Sequence, residues 1–196
     1  MLKKILTYGA IAGLIVSVPM CAMMVLWGDQ PPLAWGMAFG YSTMLIALST
    51  VFVAIKRHRD RVLGGVIGIL PALGLGLGIS LVAGVIYVLA WEATLVLTNI
   101  DFIGQYAKVL IEEKRAAGAT PAELAKFAAE MEKMRVQYAD PLFRMPLTFM
   151  EIFPVGLLVS LVSAGLLRFP RFLPARVNAP ASAPSAGTAP PVPREG

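Results

Sequence analysis

Two carboxylates, Glu92 and Glu151, stand inside apolar runs, in VLAWEATLVL and TFMEIFPVG, and they are the residues of this chain best placed to do chemistry. An ionisable group in a bilayer-length apolar run is costly, so it marks a proton or ion pathway or else finds a partner. A proton shared between the two, a bound cation, or ion pairs to Arg144 or Lys108 would each meet that cost. Either the pair couples ions or substrate, or both are interface carboxylates tied to nearby cations and backbone donors. Pro154, one turn after Glu151, frees the carbonyl of Met150 as a further acceptor.

Other chemical signals are absent. There is no HExxH, no CxxC and no GxSxG with partners, so no enzyme, metal site or cofactor is expected. His58 lies among arginines in KRHRDR and reads as a solvated interface residue, and Cys21, in an apolar run, reads as a small buried hydrophobe. Gly74, Gly76 and Gly78 alternate without a following Lys-Ser/Thr, which points to close helix contact or local flexibility and not to a phosphate loop.

The elements that must position the carboxylates are membrane spans. Of 196 residues, 57% are hydrophobic and 15% charged, against about 45–50% and about 25% in soluble domains. The run from Val66 to Leu97 carries one charge, Glu92, and exceeds the roughly 20 residues that cross a bilayer. Four spans are expected: Ile5 to Trp27, about Ala34 to Ile55, about Pro71 to Trp91, and Pro146 to Leu167. The first is too long for a signal-peptide core. Tandem Pro31 and Pro32 put a tight turn between the first two spans, and the Ala-, Pro- and Ser-rich residues 174–196 form a disordered tail. Residues 1–173 thus make a four-span membrane domain.

Charge orients it. Ten Lys and Arg, including Lys56, Arg57, Arg59, Arg61 and Arg168, face two acids on the side holding both termini; the other side carries seven against eight. By the positive-inside rule the termini are cytoplasmic, the basic residues lie at lipid headgroups, and the net charge of +5 is a topology signal and not a nucleic-acid surface. Residues 99–140 then form an extracytoplasmic helical hairpin between the third and fourth spans: Phe102, Ile103, Tyr106, Val109 and Leu110 recur at helical spacing, Gly118 stops the helix, and Thr120, Pro121 and Glu123 start the next with a capping box. Counting about 1.5 Å per residue from the cytoplasmic ends sets Glu92 and Glu151 at similar height near the outer interface, where Glu92 is expected to face Glu151.

Small-residue stripes should pack the spans together. They are Gly9, Gly13 and Ser17 in the first, Gly36 and Gly40 in the second, Gly76, Ser80 and Gly84 in the third, and Gly156, Ser160 and Ala164 in the fourth.

GYSTMLIALSTVFVAIKRHRD, GLGISLVAGVIYVLAWE, YADPLFR and TFMEIFPVGLLVSLVSAGLL together resemble the family of small bacterial membrane proteins known as domain of unknown function 4199. The resemblance runs from Lys3 to Arg168 and implies a four-span inner-membrane protein with an outward helical insert; it implies no activity. The proline-rich tail and the apolar VIGILPAL stretch depart from the family pattern, which leaves the start of the third span open. Two functions are expected. One is a non-enzymatic envelope component whose hairpin docks a partner protein. The other is a proton- or cation-coupled carrier that uses Glu92 and Glu151 in a homo-oligomer, since four spans alone make a thin pathway.

Overall fold

The computed structural model describes residues 1–27 and 33–174. Over these the chain is all-helical: α1 (Leu2–Trp27), α2 (Leu33–Val62), α3 (Ile69–Thr98), α4 (Phe102–Ala116), α5 (Pro121–Tyr138) and α6 (Pro141–Leu167). Four stretches are long and apolar enough to cross a membrane, Leu2–Leu26, Ala38–Val62, Ile69–Thr98 and Pro141–Leu167, so the chain is a multi-pass membrane protein. The turn expected between Gly28 and Pro32, and the tail expected beyond Pro174, lie outside the described residues.

The four long helices form a square in which α1 and α6 each pack on both α2 and α3. Apolar side chains such as Leu14, Val18, Leu45, Leu81, Leu89 and Leu158 are exposed on its outside, as the lipid-facing surface of a bundle requires. Glycine explains how α3 takes two neighbours. A Cβ on Gly76 would lie 2.7 Å from Ser160 Oγ of α6, and one on Gly78 would lie 2.9 Å from Ile5 of α1. Residues two apart point about 200° apart around a helix, so the two glycines admit α6 and α1 on opposite faces, while Gly74 faces open space.

Several boundaries differ from the expected spans. The third helix begins at Ile69, after a connection that turns through Gly64 and Gly65 at φ 65° and 95°, and it continues past Trp91 to Thr98. The fourth begins at Pro141 and not Pro146: the Asp140 side chain accepts the Leu142 N–H at 2.9 Å, and Pro141 takes a position whose N–H would be unsatisfied anyway. The second runs on from Ile55 through the whole basic cluster to Val62, steadied by a Lys56–Asp60 pair at 2.5 Å, one turn apart.

Helices α4 and α5 pack on each other as the expected hairpin. Thr120 and Glu123 exchange reciprocal capping bonds, Gly118 sits at φ 87° in the turn, and Lys114 lies 4.8 Å over the Phe127 ring. Leu124, Phe127, Met131, Met134 and Tyr138, half-buried, form the inner face of α5.

Candidate functional site

The antiparallel pair α3 and α6 sets the height of every polar group between them. Ser80 and Ser160 each donate to the carbonyl one turn back, Gly76 at 3.0 Å and Gly156 at 2.7 Å, and their hydroxyls approach to 3.5 Å. Gly76 lies against Ser160, Gly156 against Ser80, and Gly84 against Phe149 and Ile152. Twelve residues further along α3 from Ser80, and twelve back along α6 from Gly156, this register brings Glu92 to Arg144.

There the guanidinium grips the carboxylate through two bonds, Nε to Oε1 at 2.7 Å and Nη2 to Oε2. Both side chains are nearly buried, at 12% and 13% exposure. Arg144 also donates to the Tyr138 carbonyl at 2.9 Å and lies 5.6 Å over the Tyr138 ring. Such a bidentate, shielded pair is the strong form of this interaction. It clamps the last turn of α5 to α3.

Glu151 is elsewhere. It accepts a hydrogen bond from Tyr87 Oη at 3.3 Å, and Tyr87 precedes Glu92 by five residues while Arg144 precedes Glu151 by seven. Glu151 therefore sits about 10 Å deeper than Glu92, and the expected meeting of the two carboxylates is corrected. The height count assumed that Pro71 and Arg168 lie level, whereas the α3/α6 register sets Arg168 opposite Gly68, one helical turn lower.

Glu151 lines a cavity of about 380 Å³ bounded by α1, α2, α3, α6 and the root of the hairpin. Methionines Met20, Met23, Met24 and Met44 form one wall, and Tyr87, Trp91, Phe102, Tyr106 and Tyr138 the other. The aromatic wall is braced: Trp91 Nε1 donates to Tyr138 Oη at 2.7 Å, and Phe102 meets Trp91 edge-on at 5.1 Å and stacks on Tyr106 at 6.1 Å. Burial at this root pushes the Tyr138 phenol above its ordinary range. Among the described residues of the lining there is one carboxylate and no Lys, Arg or His.

The stripe glycines divide accordingly. A Cβ on Gly9 would lie 2.5 Å from Val82 Cβ, and one on Gly13 2.8 Å from Ile86 Cβ, so α1 rides directly on α3. Ser17 continues that face and is buried without a hydrogen-bond partner. Next comes Cys21, which is more than a small hydrophobe: its sulfur accepts from Thr94 Oγ1 at 2.9 Å. Gly36 and Gly40 are corrected. Gly40 has nothing within 4 Å of its Cβ position and Gly36 only Met23 at 4.0 Å; they line the cavity and make no close helix contact.

At the opposite end of the bundle Arg59 is also corrected. It is no headgroup residue; it is wholly buried. Its guanidinium donates to the carbonyls of Leu167 at 3.4 Å, Phe172 at 3.0 Å and Leu173, and to Asp60 at 2.7 Å. It thereby meets the last carbonyl of α6, that of Leu167, where the helix dipole favours a cation, and two carbonyls of the turn that follows the helix. A sequence signal existed: Arg59 lies one turn beyond Ile55 on the register of Met44, Leu48, Val51 and Ile55, all buried. Arg57 donates to Tyr8 Oη at 3.2 Å, and Lys4 Nζ lies 3.0 Å from His58 Nδ1, so His58 joins α2 to α1. Lys56 is half-buried in its pair with Asp60; Arg61 and Arg168 are exposed.

Fold and site together define a multi-pass helical membrane protein with a hairpin clamped over an aromatic cavity. The family model described as protein of unknown function (DUF4199) matches residues 7–168, and the chain belongs to that family. No curated protein and no solved structure matches it.

Proposed function

We propose that the chain is a non-enzymatic component of a bacterial inner membrane, with both termini cytoplasmic, whose α4–α5 hairpin faces the other side and docks an envelope protein. The observation that carries this reading is the form of the hairpin. It is independently capped at Asp101 and Thr120, clamped at its root by Arg144 and Trp91, and no residue of α5 is fully buried. A rigid stalk with free faces is what partner docking needs. The sidedness rests on the excess of Lys and Arg at the end shared by the start of α1 and the ends of α2 and α6. Cross-linking and capture from membranes tests the reading: replacing residues 102–138 by a short linker should lose the captured partner while the bundle stays folded, and an unchanged set of captured proteins would end it.

A second reading, a proton- or cation-coupled carrier built as a homo-oligomer, retains one observation in its favour, the opening of Glu151 onto the cavity. Glu92 is neutralised by Arg144 and is removed from that role. Gradient-driven flux in proteoliposomes that disappears in Glu151→Gln would support it; no flux under any gradient would remove it.

A further inference from the structure

We propose that the cavity beneath the hairpin is a binding site for a lipophilic organic cation, held by the Glu151 carboxylate against an aromatic wall. This concerns binding within the bundle and does not depend on what the hairpin docks or on whether anything is transported.

Charge comes first. Glu151 is exposed toward the cavity, receives only the Tyr87 hydroxyl, and makes no salt bridge with any described residue. The nearest Arg on its own helix, Arg144, is spent on Glu92 and Tyr138. A carboxylate inside an apolar span without a cation is expensive, and a ligand that brings the cation removes that cost. Coulombic attraction at such a site is several-fold stronger than in water.

The wall selects which cation. Tyr87, Trp91, Phe102 and Tyr106 present aromatic surface to the same space, and ring faces attract cations whose charge is spread over apolar substituents. An inorganic divalent ion would find a single carboxylate among neutral Tyr and Thr hydroxyls; Ca²⁺, for comparison, takes six to eight oxygen ligands, usually with several carboxylates among them. The volume, about 380 Å³, falls within the range of roughly 300–1,000 Å³ typical of small-molecule pockets. Gly40 is what leaves room: the space over its Cα is empty. The ligand class is therefore a quaternary ammonium, a phosphonium or a protonated aromatic amine.

Tetraphenylphosphonium and tetraphenylborate have nearly the same shape and opposite charge, so the pair separates charge recognition from greasy filling. Purified full-length protein in nanodiscs should bind tetraphenylphosphonium, read by equilibrium dialysis and by quenching of tryptophan fluorescence, and should bind tetraphenylborate at least ten-fold more weakly. Glu151→Gln should weaken tetraphenylphosphonium binding at least ten-fold, and Glu151→Asp should restore most of it. Should Glu151→Gln fail to fold, Gly40→Leu serves, because a Cβ there has no atom within 4 Å and the side chain extends into the cavity: it should fold and weaken tetraphenylphosphonium binding at least ten-fold. Equal affinity for the two ions would mean that the cavity is a slot for acyl chains and would overturn the proposal. So would undiminished phosphonium binding in folded Glu151→Gln or in Gly40→Leu.

Discussion

The Glu92–Arg144 pair shows how a single charged residue is kept in an apolar helix. Each charge is expensive alone, and the two together with the Tyr138 carbonyl cost far less, so loss of one partner harms more than loss of both. Glu92→Gln and Arg144→Met should each destabilise the protein by about 3 kcal/mol, seen as a lowered unfolding midpoint in detergent, and the double variant should be less destabilised than the sum of the singles. Strict additivity would mean that the pair contributes nothing. Arg59 follows the same rule at the other end of the bundle: its charge is tolerated in the interior because the Leu167 carbonyl that ends α6, the Phe172 carbonyl beyond it, and Asp60 meet it.

At the scale of the helix, glycines that look alike in the sequence have opposite roles. The atoms nearest a new Cβ on Gly9 belong to Val82 Cβ, which the α3 backbone holds in place, whereas at Gly84 they belong to the edge of the Phe149 ring, which can turn. Gly9→Ala should therefore destabilise by about 1–3 kcal/mol through overpacking, and Gly40→Ala should stabilise by up to about 1 kcal/mol through helix propensity; thermal melts of the two variants in one detergent give the comparison. The hairpin makes its own prediction about pH. Bonds from the Thr120 backbone N–H and hydroxyl hold the Glu123 carboxyl below its ordinary value of 4.5, and the Arg135 guanidinium does the same for Glu132. For a depressed carboxyl, the stabilisation is complete above the ordinary value and is lost as the pH falls through the folded one. Protection of the α5 amides in hydrogen exchange, corrected for intrinsic rates, should thus be constant from pH 7 to about 5 and fall at lower pH. Both groups are exposed, so the loss is small and local.

For the whole molecule, the two ends of the bundle differ in kind. One is a basic knot in which Arg57 reaches α1, Lys4 approaches His58, and Arg59 holds the end of α6. The other is an aromatic root that clamps the hairpin. In a Cys21→Ala background, Leu63→Cys and Ala119→Cys mark these ends. With the basic end cytoplasmic, a membrane-impermeant maleimide applied to spheroplasts should label Ala119→Cys at once and Leu63→Cys only after the membrane is opened; the reverse pattern would invert the proposed topology.

Much of this was legible without coordinates, because hydropathy and capping act over short range. The four spans, the hairpin with its Thr120 capping box, and the α1, α3 and α6 stripes each depend on residues within a few turns of one another, and lipid demands an uninterrupted apolar run. The tertiary structure decided what depends on the relative height and rotation of separate helices. Only the α3/α6 register pairs Glu92 with Arg144 and leaves Glu151 about 10 Å deeper, only the rotation of α2 turns Arg59 inward and Gly40 toward open space, and only the meeting of all six helices makes the cavity. A one-turn difference in where two antiparallel helices begin is invisible in either helix alone. Here it decides which carboxylate is neutralised and which is left facing the cavity.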